Sequence, residues 1–140
     1  MRKRTKARHL AIQLLYQIDI TNDSLQEAWS NFWLSQDKKI SEDVISFSQQ
    51  LVTGTMEHLK DIDTAIVEFA DNWNLERMAV VDRNILRLGC YEILFCPDIP
   101  PKVTINEAVE LAKCYSGPES GKFVNGILDK IMSRKKSEVC

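Results

Sequence analysis

Basic residues are concentrated at the two ends of the chain, where they are suited to binding phosphate groups. Residues 1–9 contain no acid and five bases, Arg2, Lys3, Arg4, Lys6 and Arg8. Lys and Arg at this density neutralise phosphates, which supplies most of the sequence-independent affinity for nucleic acid. Arg4 and Arg8 are four residues apart, so on a helix they share one face. A solvated, frayed terminus without a ligand is the alternative interpretation.

The net charge of −2 hides a strong separation of charge along the chain. Residues 1–9 carry +5, residues 122–140 carry +3, and the segment from 10 to 121 carries −10. A body with that charge repels polyanions, so nucleic acid could be bound only where the two basic ends come together.

The second candidate phosphate site is the turn at residues 117–121, which opens the last predicted helix. Free backbone N–H groups at a helix N-terminus favour an anion, and Lys122 adds a formal charge. Tyr115 and Phe123 flank the turn, and single-stranded RNA is commonly held by stacking its bases on such rings. The spacing equally allows Phe123 to belong to the apolar stripe that continues with Val124.

Tyr16 is an aromatic residue on the wrong side of its helix for packing. At about 100° per residue, the apolar residues of the first predicted helix cluster on one side and Tyr16 lies opposite them. Exposed aromatic residues are typical anchors of binding surfaces. Packing under a neighbouring loop is the alternative.

Catalytic and metal-binding patterns are missing from the sequence. There is no P-loop, no G-x-G-x-x-G, no H-E-x-x-H and no nucleophile elbow, and His9 and His58 have no partner at a recognisable spacing. We therefore expect no enzyme activity, no catalytic residue, no metal and no cofactor. The four cysteines form no C-x-x-C pair, and we expect Cys90 and Cys114 to pack in the core as reduced thiols.

The compartment predicted from the sequence is the cytoplasm, without membrane contact. No run of 18 apolar residues exists, which argues against a transmembrane helix. The basic start is not followed by an unbroken apolar segment, which argues against a secretory signal.

Helix signals recur along the whole chain and strand signals are nearly absent. Ser24 with Glu27 and Thr104 with Glu107 have capping-box spacing, and Ser41 is placed to begin another helix. From about residue 80 to 95 the predicted helix becomes apolar all round in its second half, which is typical of a helix surrounded by others. The sequence therefore predicts an all-α fold: a single compact globule of about seven helices around a central apolar helix. We expect one domain over residues 1–140, with about 1–5 and 134–140 flexible.

Three blocks of sequence, in this order, resemble the NusB family of bacterial transcription antitermination factors. They are Ala7-Arg8 followed by residues 11–16 (AIQLLY), residues 84–94 (NILRLGCYEIL) and residues 121–130 (GKFVNGILDK). The resemblance spans nearly the whole chain and implies the helical fold of that family.

The resemblance also implies roles for individual residues. Family members bind single-stranded boxA RNA through an arginine-rich N-terminus, which Arg4, Lys6 and Arg8 occupy here, with Thr5 where a further arginine is usual. The positions implied to contact RNA around the turn are Glu119, Ser120, Lys122 and Phe123, and Tyr115 joins them as a stacking candidate. The positions implied to contact the partner protein NusE, a small-subunit ribosomal protein, are Tyr16, Glu76 and Asp82. Asp82 is explained equally well as an acid in the first turn of a helix.

The implied function is non-catalytic transcription antitermination. With NusE, such a protein binds boxA in nascent ribosomal RNA and helps RNA polymerase in the antitermination complex to resist termination. Two alternatives use the same helical fold: the N-terminal module of an RNA cytosine-5 methyltransferase, and an interaction module that has lost RNA binding. The first needs a following α/β domain, and retention of both basic ends argues against the second. Some relatives form homodimers that hide the RNA surface, and the sequence leaves this open.

Overall fold

The computed structural model describes residues 1–34, 39–71 and 74–139. Within them lie seven α-helices: α1 (Lys3–Thr21), α2 (Leu25–Leu34), α3 (Glu42–Glu57), α4 (Leu59–Phe69), α5 (Val80–Phe95), α6 (Pro101–Tyr115) and α7 (Pro118–Val139). One turn of 3₁₀ helix, Leu75–Arg77, precedes α5. The predicted all-α class with about seven helices is confirmed. Among these described residues no helix has the length and apolar character needed to cross a membrane.

Two helix starts form where the local capping signals predict them. Ser24 Oγ accepts a hydrogen bond from the backbone N–H of Glu27 (3.1 Å), and the hydroxyl lies 3.0 Å from Glu27 Oε1. Ser41 precedes α3, and its hydroxyl accepts from the N–H of Val44 (3.5 Å). Both side chains satisfy backbone donors that a helix N-terminus otherwise leaves without partners.

The predicted capping box of Thr104 with Glu107 is wrong. Helix α6 begins earlier, at Pro101, a position where the missing N–H of proline costs nothing. Thr104 is buried within the helix and donates its hydroxyl to Glu92 Oε1 (2.9 Å). Glu107 accepts a hydrogen bond from the Thr5 hydroxyl (2.6 Å). The two side chains therefore connect helices instead of starting one.

Helix α5 is the central helix, as its apolar sequence predicts. It packs against α1, α3, α4, α6 and α7. The close approach of α3 depends on Gly54, because a Cβ atom there would lie 2.1 Å from the ring of Tyr91. Burial of α5 on all sides removes most of its apolar area from water, which is the main favourable contribution to folding.

A partly buried cluster of ion pairs attaches α1 to α5. The carboxylate of Asp19 accepts from both Nε and Nη2 of Arg83 (2.6 Å each), from Asn84 Nδ2 (3.0 Å) and from Arg87 Nη1 (3.1 Å). Arg87 also donates to both oxygens of Asp63 on α4. Burial alone would raise the pKa of Asp19, but the hydrogen bonds from Arg83 and Asn84 and the charge of Arg87 outweigh it and lower that pKa. The cluster fixes the rotation of α1 about its axis.

We predict that Asp19→Asn lowers the free energy of unfolding at neutral pH by about 2–4 kcal/mol, because it leaves two arginines without their shared carboxylate. A lowered pKa in the folded state means that Asp19 stabilises above its unfolded pKa, and that this contribution disappears as the pH falls through the folded value. Urea unfolding of both proteins should therefore show the difference shrinking below about pH 4. Asp98→Asn, at an exposed position, is the matched control. A difference that persists unchanged in acid would contradict the ionic interpretation.

Candidate nucleic-acid interface

The basic residues at the start of α1 point in different directions. The helix begins at Lys3, so most of the segment expected to be flexible at residues 1–5 is helical. Arg2, Arg4 and Lys6 are exposed. Lys3 Nζ lies 3.0 Å from Asp43 Oδ2 in an exposed ion pair with α3. Only part of the N-terminal charge is therefore available to a ligand.

Arg8 is the main correction to the sequence-based site. We expected it to bind phosphate on the surface, but it is 2% exposed and lies between α1, α5 and α6. Its Nε and Nη2 donate to the two oxygens of Glu92 (2.9 and 2.7 Å), and Nη1 donates to Glu107 (3.3 Å). Burial opposes the charge of Arg8, but the hydrogen bond and charge of Glu92, followed by the charge of Glu107, raise its pKa.

A signal for this pairing exists in the sequence. Glu92 is a single carboxylate within the apolar half of α5, and a buried charge needs a partner of opposite sign. Arg8 meets that need because its position on α1 faces α5. The expectation that Arg4 and Arg8 share a face is confirmed, since both guanidinium groups lie over the ring of Phe47, at 4.4 and 5.6 Å from its centroid.

An exposed stripe of α1 runs from Lys6 towards its C-terminus. At about 100° per residue, its members lie within about 80° of one another on the helix: they are Lys6, His9, Gln13, Tyr16 and Ile20. Tyr16 is 42% exposed, as its position opposite the apolar face predicts, and Ile20 is 54% exposed. Sequence reasoning missed Ile20, although its spacing of four residues from Tyr16 places it on the same face.

Tyr115 connects this stripe of α1 to the end of α6. Its hydroxyl accepts a hydrogen bond from Gln13 Nε2 (3.2 Å) and lies 3.1 Å from His9 Nδ1. The rings of Tyr115 and His9 are 5.6 Å apart between centroids. Tyr115 remains 38% exposed, so part of its ring is accessible to a stacking base.

The turn after Tyr115 opens α7 beside a surface pocket. Gly117 has φ +130°, which favours glycine, and its N–H donates to the carbonyl of Ala112. The pocket has a volume of about 490 Å³. Its lining consists of Met78, Ala79, Asp82, Glu119, Ser120, Lys122 and Phe123. Four of the predicted RNA positions therefore lie together.

The side chains that line this pocket differ in their exposure to solvent. Lys122 is exposed and lies 3.5 Å from Glu119 in an ion pair that solvent weakens. Phe123 is half-buried: it packs against the core, as its place in the apolar stripe predicts, and it also lines the pocket. Asp82 lies in the first turn of α5, and its Oδ2 accepts from Ser120 Oγ (3.2 Å).

Asp82 therefore lies among predicted RNA positions, although its implied contact is NusE. Its Oδ1 is buried and has no hydrogen-bond partner among the described residues. Glu76 is exposed in the 3₁₀ turn that precedes α5. The structure thus places one predicted NusE contact, Asp82, beside the predicted RNA positions of the turn, at the N-terminal end of α5.

The basic residues further along α7 do not join this surface. Lys130 pairs with Asp71 (3.2 Å), Arg134 pairs with Glu68, and Lys135 donates to the carbonyl of Ile93. Helix α7 continues to Val139, so the expected flexible tail is helical over residues 134–139; Cys140 lies outside the described residues. The link between the two ends is Tyr115 of α6, which contacts α1 and directly precedes the turn into α7.

Of the two cysteines predicted to lie in the core, one is buried and the other is exposed. Cys90 is buried, and burial raises its pKa to about 12. Cys114 is exposed, so its predicted place in the core is wrong; it lies at the end of α6, where the helix leaves the core. The described residues contain no group of three His, Cys, Asp or Glu side chains that could hold a metal ion.

An all-α domain with an exposed lysine and two aromatic rings beside one turn has features of a nucleic-acid-binding protein. The model of the NusB family matches residues 5–133, and the chain belongs to the NusB family. A transcription antitermination protein NusB from Thermodesulfovibrio yellowstonii is 47% identical over 146 residues, which covers 99% of this chain and 95% of that protein.

Solved structures with this fold include two that bear on the site. NusB of T. maritima has 37% identity and a TM-score of 0.84, with 96% of each chain covered. A crystal structure of the antitermination factors NusB and NusE in complex with double-stranded RNA contains a chain with 30% identity and a TM-score of 0.85. The match covers 96% of this chain and 98% of that one.

We predict that Arg8→Gln lowers the free energy of unfolding by about 3–5 kcal/mol, because it leaves Glu92 buried without its cation. Lys6→Gln removes an exposed charge from the same helix and should change stability by less than about 0.5 kcal/mol. Urea denaturation followed by circular dichroism measures both. Equal stability of the two variants would contradict the structural role of Arg8.

Proposed function

We propose that this protein is a non-catalytic RNA-binding antitermination factor that captures single-stranded boxA RNA together with NusE. Membership of a family of non-catalytic antitermination factors supports the proposal. The observation that carries it is the contact of Tyr115, at the end of α6 and three residues before α7 begins, with His9 and Gln13 of the exposed stripe of α1. Cations and aromatic rings at one surface are what single-stranded RNA requires.

The RNA contacts that we propose come from exposed groups and from half-buried Phe123. Arg4, Lys6 and Lys122 supply charge to the phosphates, and Tyr115 and Phe123 supply rings to the bases. Glu119 and Ser120 line the pocket with Lys122 and Phe123. The Ser120 hydroxyl can donate to or accept from base edges, and the Glu119 carboxylate can accept from them. Arg8 contributes through the fold, because its guanidinium is already bound by two carboxylates.

The NusE contacts that we propose lie on the adjoining surface. Tyr16 is the aromatic anchor, and Glu76 and Asp82 supply negative charge towards a basic ribosomal protein. The hydrogen bond between Ser120 and Asp82 joins this surface to the RNA pocket. Two ligands on adjoining surfaces of one small domain can strengthen each other's binding. In the cytoplasm, the assembled complex would then act on RNA polymerase.

Fluorescence anisotropy with a short boxA RNA tests the RNA half of the proposal. Scrambled and duplex RNAs are the controls, each measured with and without NusE across a salt series. We expect selective binding that NusE strengthens and that falls steeply with salt. If the affinity for boxA RNA is no greater than that for scrambled RNA, the result favours the alternative, an interaction module that has lost RNA binding. Sedimentation of the free chain over the same concentrations shows whether a homodimer competes.

Lys122→Glu should lower boxA affinity about tenfold and reduce the slope of log affinity against log salt by about 1, because it removes a phosphate contact. Lys130→Glu is the matched control, since it changes the same charge on α7 but next to Asp71. NusE binding should be the same in both variants. If Lys130→Glu weakened RNA binding as much, the effect would reflect overall charge and not this site.

Tyr16→Asp should weaken NusE binding at least tenfold, because it removes the exposed aromatic anchor of the proposed contact, an effect on the order of 1.4 kcal/mol or more. Val67→Asp is the control, since Val67 is exposed to a similar degree on α4. Titration calorimetry with NusE measures both. Unchanged affinity of Tyr16→Asp would place the interface elsewhere.

A further inference from the structure

The cations at the start of α1 differ in whether their charge is already neutralised. Arg8 is bound by two carboxylates, and Lys3 pairs with Asp43. Among the described residues, no carboxylate lies within ion-pair distance of Arg4. Its charge therefore remains available to a phosphate group.

Arg4 is nevertheless held in place, by an aromatic ring. Its guanidinium carbon lies 4.4 Å from the ring centroid of Phe47 on α3. Phe47 is half-buried and packs against the core, so the ring is a fixed support. A ring face attracts a cation without cancelling its charge, and so restricts the guanidinium while leaving its N–H donors free.

The space beside this pair is an open pocket of about 380 Å³ between the start of α1 and α3. Its lining consists of Lys3, Arg4, Asp43, Ser46, Phe47 and Gln50. The hydroxyl of Ser46 and the amide of Gln50 can bind base or sugar groups, and the cations can bind phosphate. This pocket is separate from the one beside α7, and no residue of α3 was expected at an RNA surface.

A single strand can reach both surfaces. Arg4 precedes His9, the contact of Tyr115, by five residues, which is about 7.5 Å along the helix axis. Exposed Arg2 lies at the tip of the helix, immediately before its first residue. A strand bound at Tyr115 therefore has a short path around the start of α1.

We propose that the RNA-binding surface continues around the start of α1 onto helix α3, and that Phe47 is a positioning residue that holds Arg4 there for a phosphate group. This inference rests on the proposed RNA function and extends it. Asp43 opposes such binding, because its carboxylate holds Lys3 and adds a negative charge beside the pocket.

A double-mutant cycle between Phe47 and Arg4 tests the inference, with boxA RNA affinity and its salt slope as the readout. Arg4→Ala should weaken binding about tenfold and reduce the slope by about 1. Phe47→Leu, which keeps an apolar side chain against the core, should weaken binding about threefold. Adding it to Arg4→Ala should cause no further loss, because it acts through Arg4. Phe47→Tyr should restore wild-type affinity.

Losses that simply multiply in the double variant, or an unchanged affinity of Phe47→Leu, would overturn the inference. Lys60→Ala, an exposed cation on α4, should leave affinity and slope unchanged. Thermal unfolding establishes that each variant is folded at the assay temperature.

A second variant keeps the test valid if Phe47→Leu does not fold. Asp43→Asn leaves the core untouched and releases Lys3, so it should strengthen RNA binding about threefold; no change would mean that the strand does not reach α3. Wild-type protein that binds boxA no better than scrambled RNA would contradict the proposed function itself. Selective wild-type binding without coupling between Phe47 and Arg4 would contradict only the inference.

Discussion

The buried pair of Arg8 with Glu92 is the interaction on which the rest of the structure depends. Both side chains are nearly inaccessible to water, and each carries a charge that could not be buried alone. Their two hydrogen bonds are satisfied only when α1 has one rotation and one height against α5. Glu107 and Thr104 of α6 bind the same pair, so three helices are fixed by one set of polar contacts.

The fixed rotation of α1 determines what the surface offers to ligands. With Arg8 turned inward and Asp19 bound to Arg83, the stripe that carries Lys6 and Tyr16 must face outward. The cluster at Asp19 and the pair at Glu92 lie near opposite ends of α5, so α1 is held at two points. The RNA and NusE contacts that we propose on this helix can therefore influence each other without any large conformational change.

Counting charges along the chain overstates the cationic surface. Of the five bases in residues 1–9, Arg8 is buried in an ion pair with Glu92, and Lys3 forms an ion pair with Asp43. Along α7, Lys130 and Arg134 are directed to acids near α4, which leaves Lys122 at the turn. The candidate interface is therefore built from a few exposed cations with aromatic support, in an otherwise acidic domain. Such a surface favours affinity that depends on a partner protein.

The sequence by itself determined the features that depend on local spacing. Helical periodicity predicted the all-α class, the central α5 and the exposure of Tyr16, and short-range capping predicted the starts at Ser24 and Ser41. Which polar residues form hydrogen bonds or ion pairs between helices became visible only in the tertiary structure. Thr104 and Arg8 are examples, because their partner Glu92 is distant in sequence and periodicity within one helix contains no information about the neighbour across the core. The support of Arg4 by Phe47 was hidden for the same reason: the two residues are brought together only when α1 packs on α3.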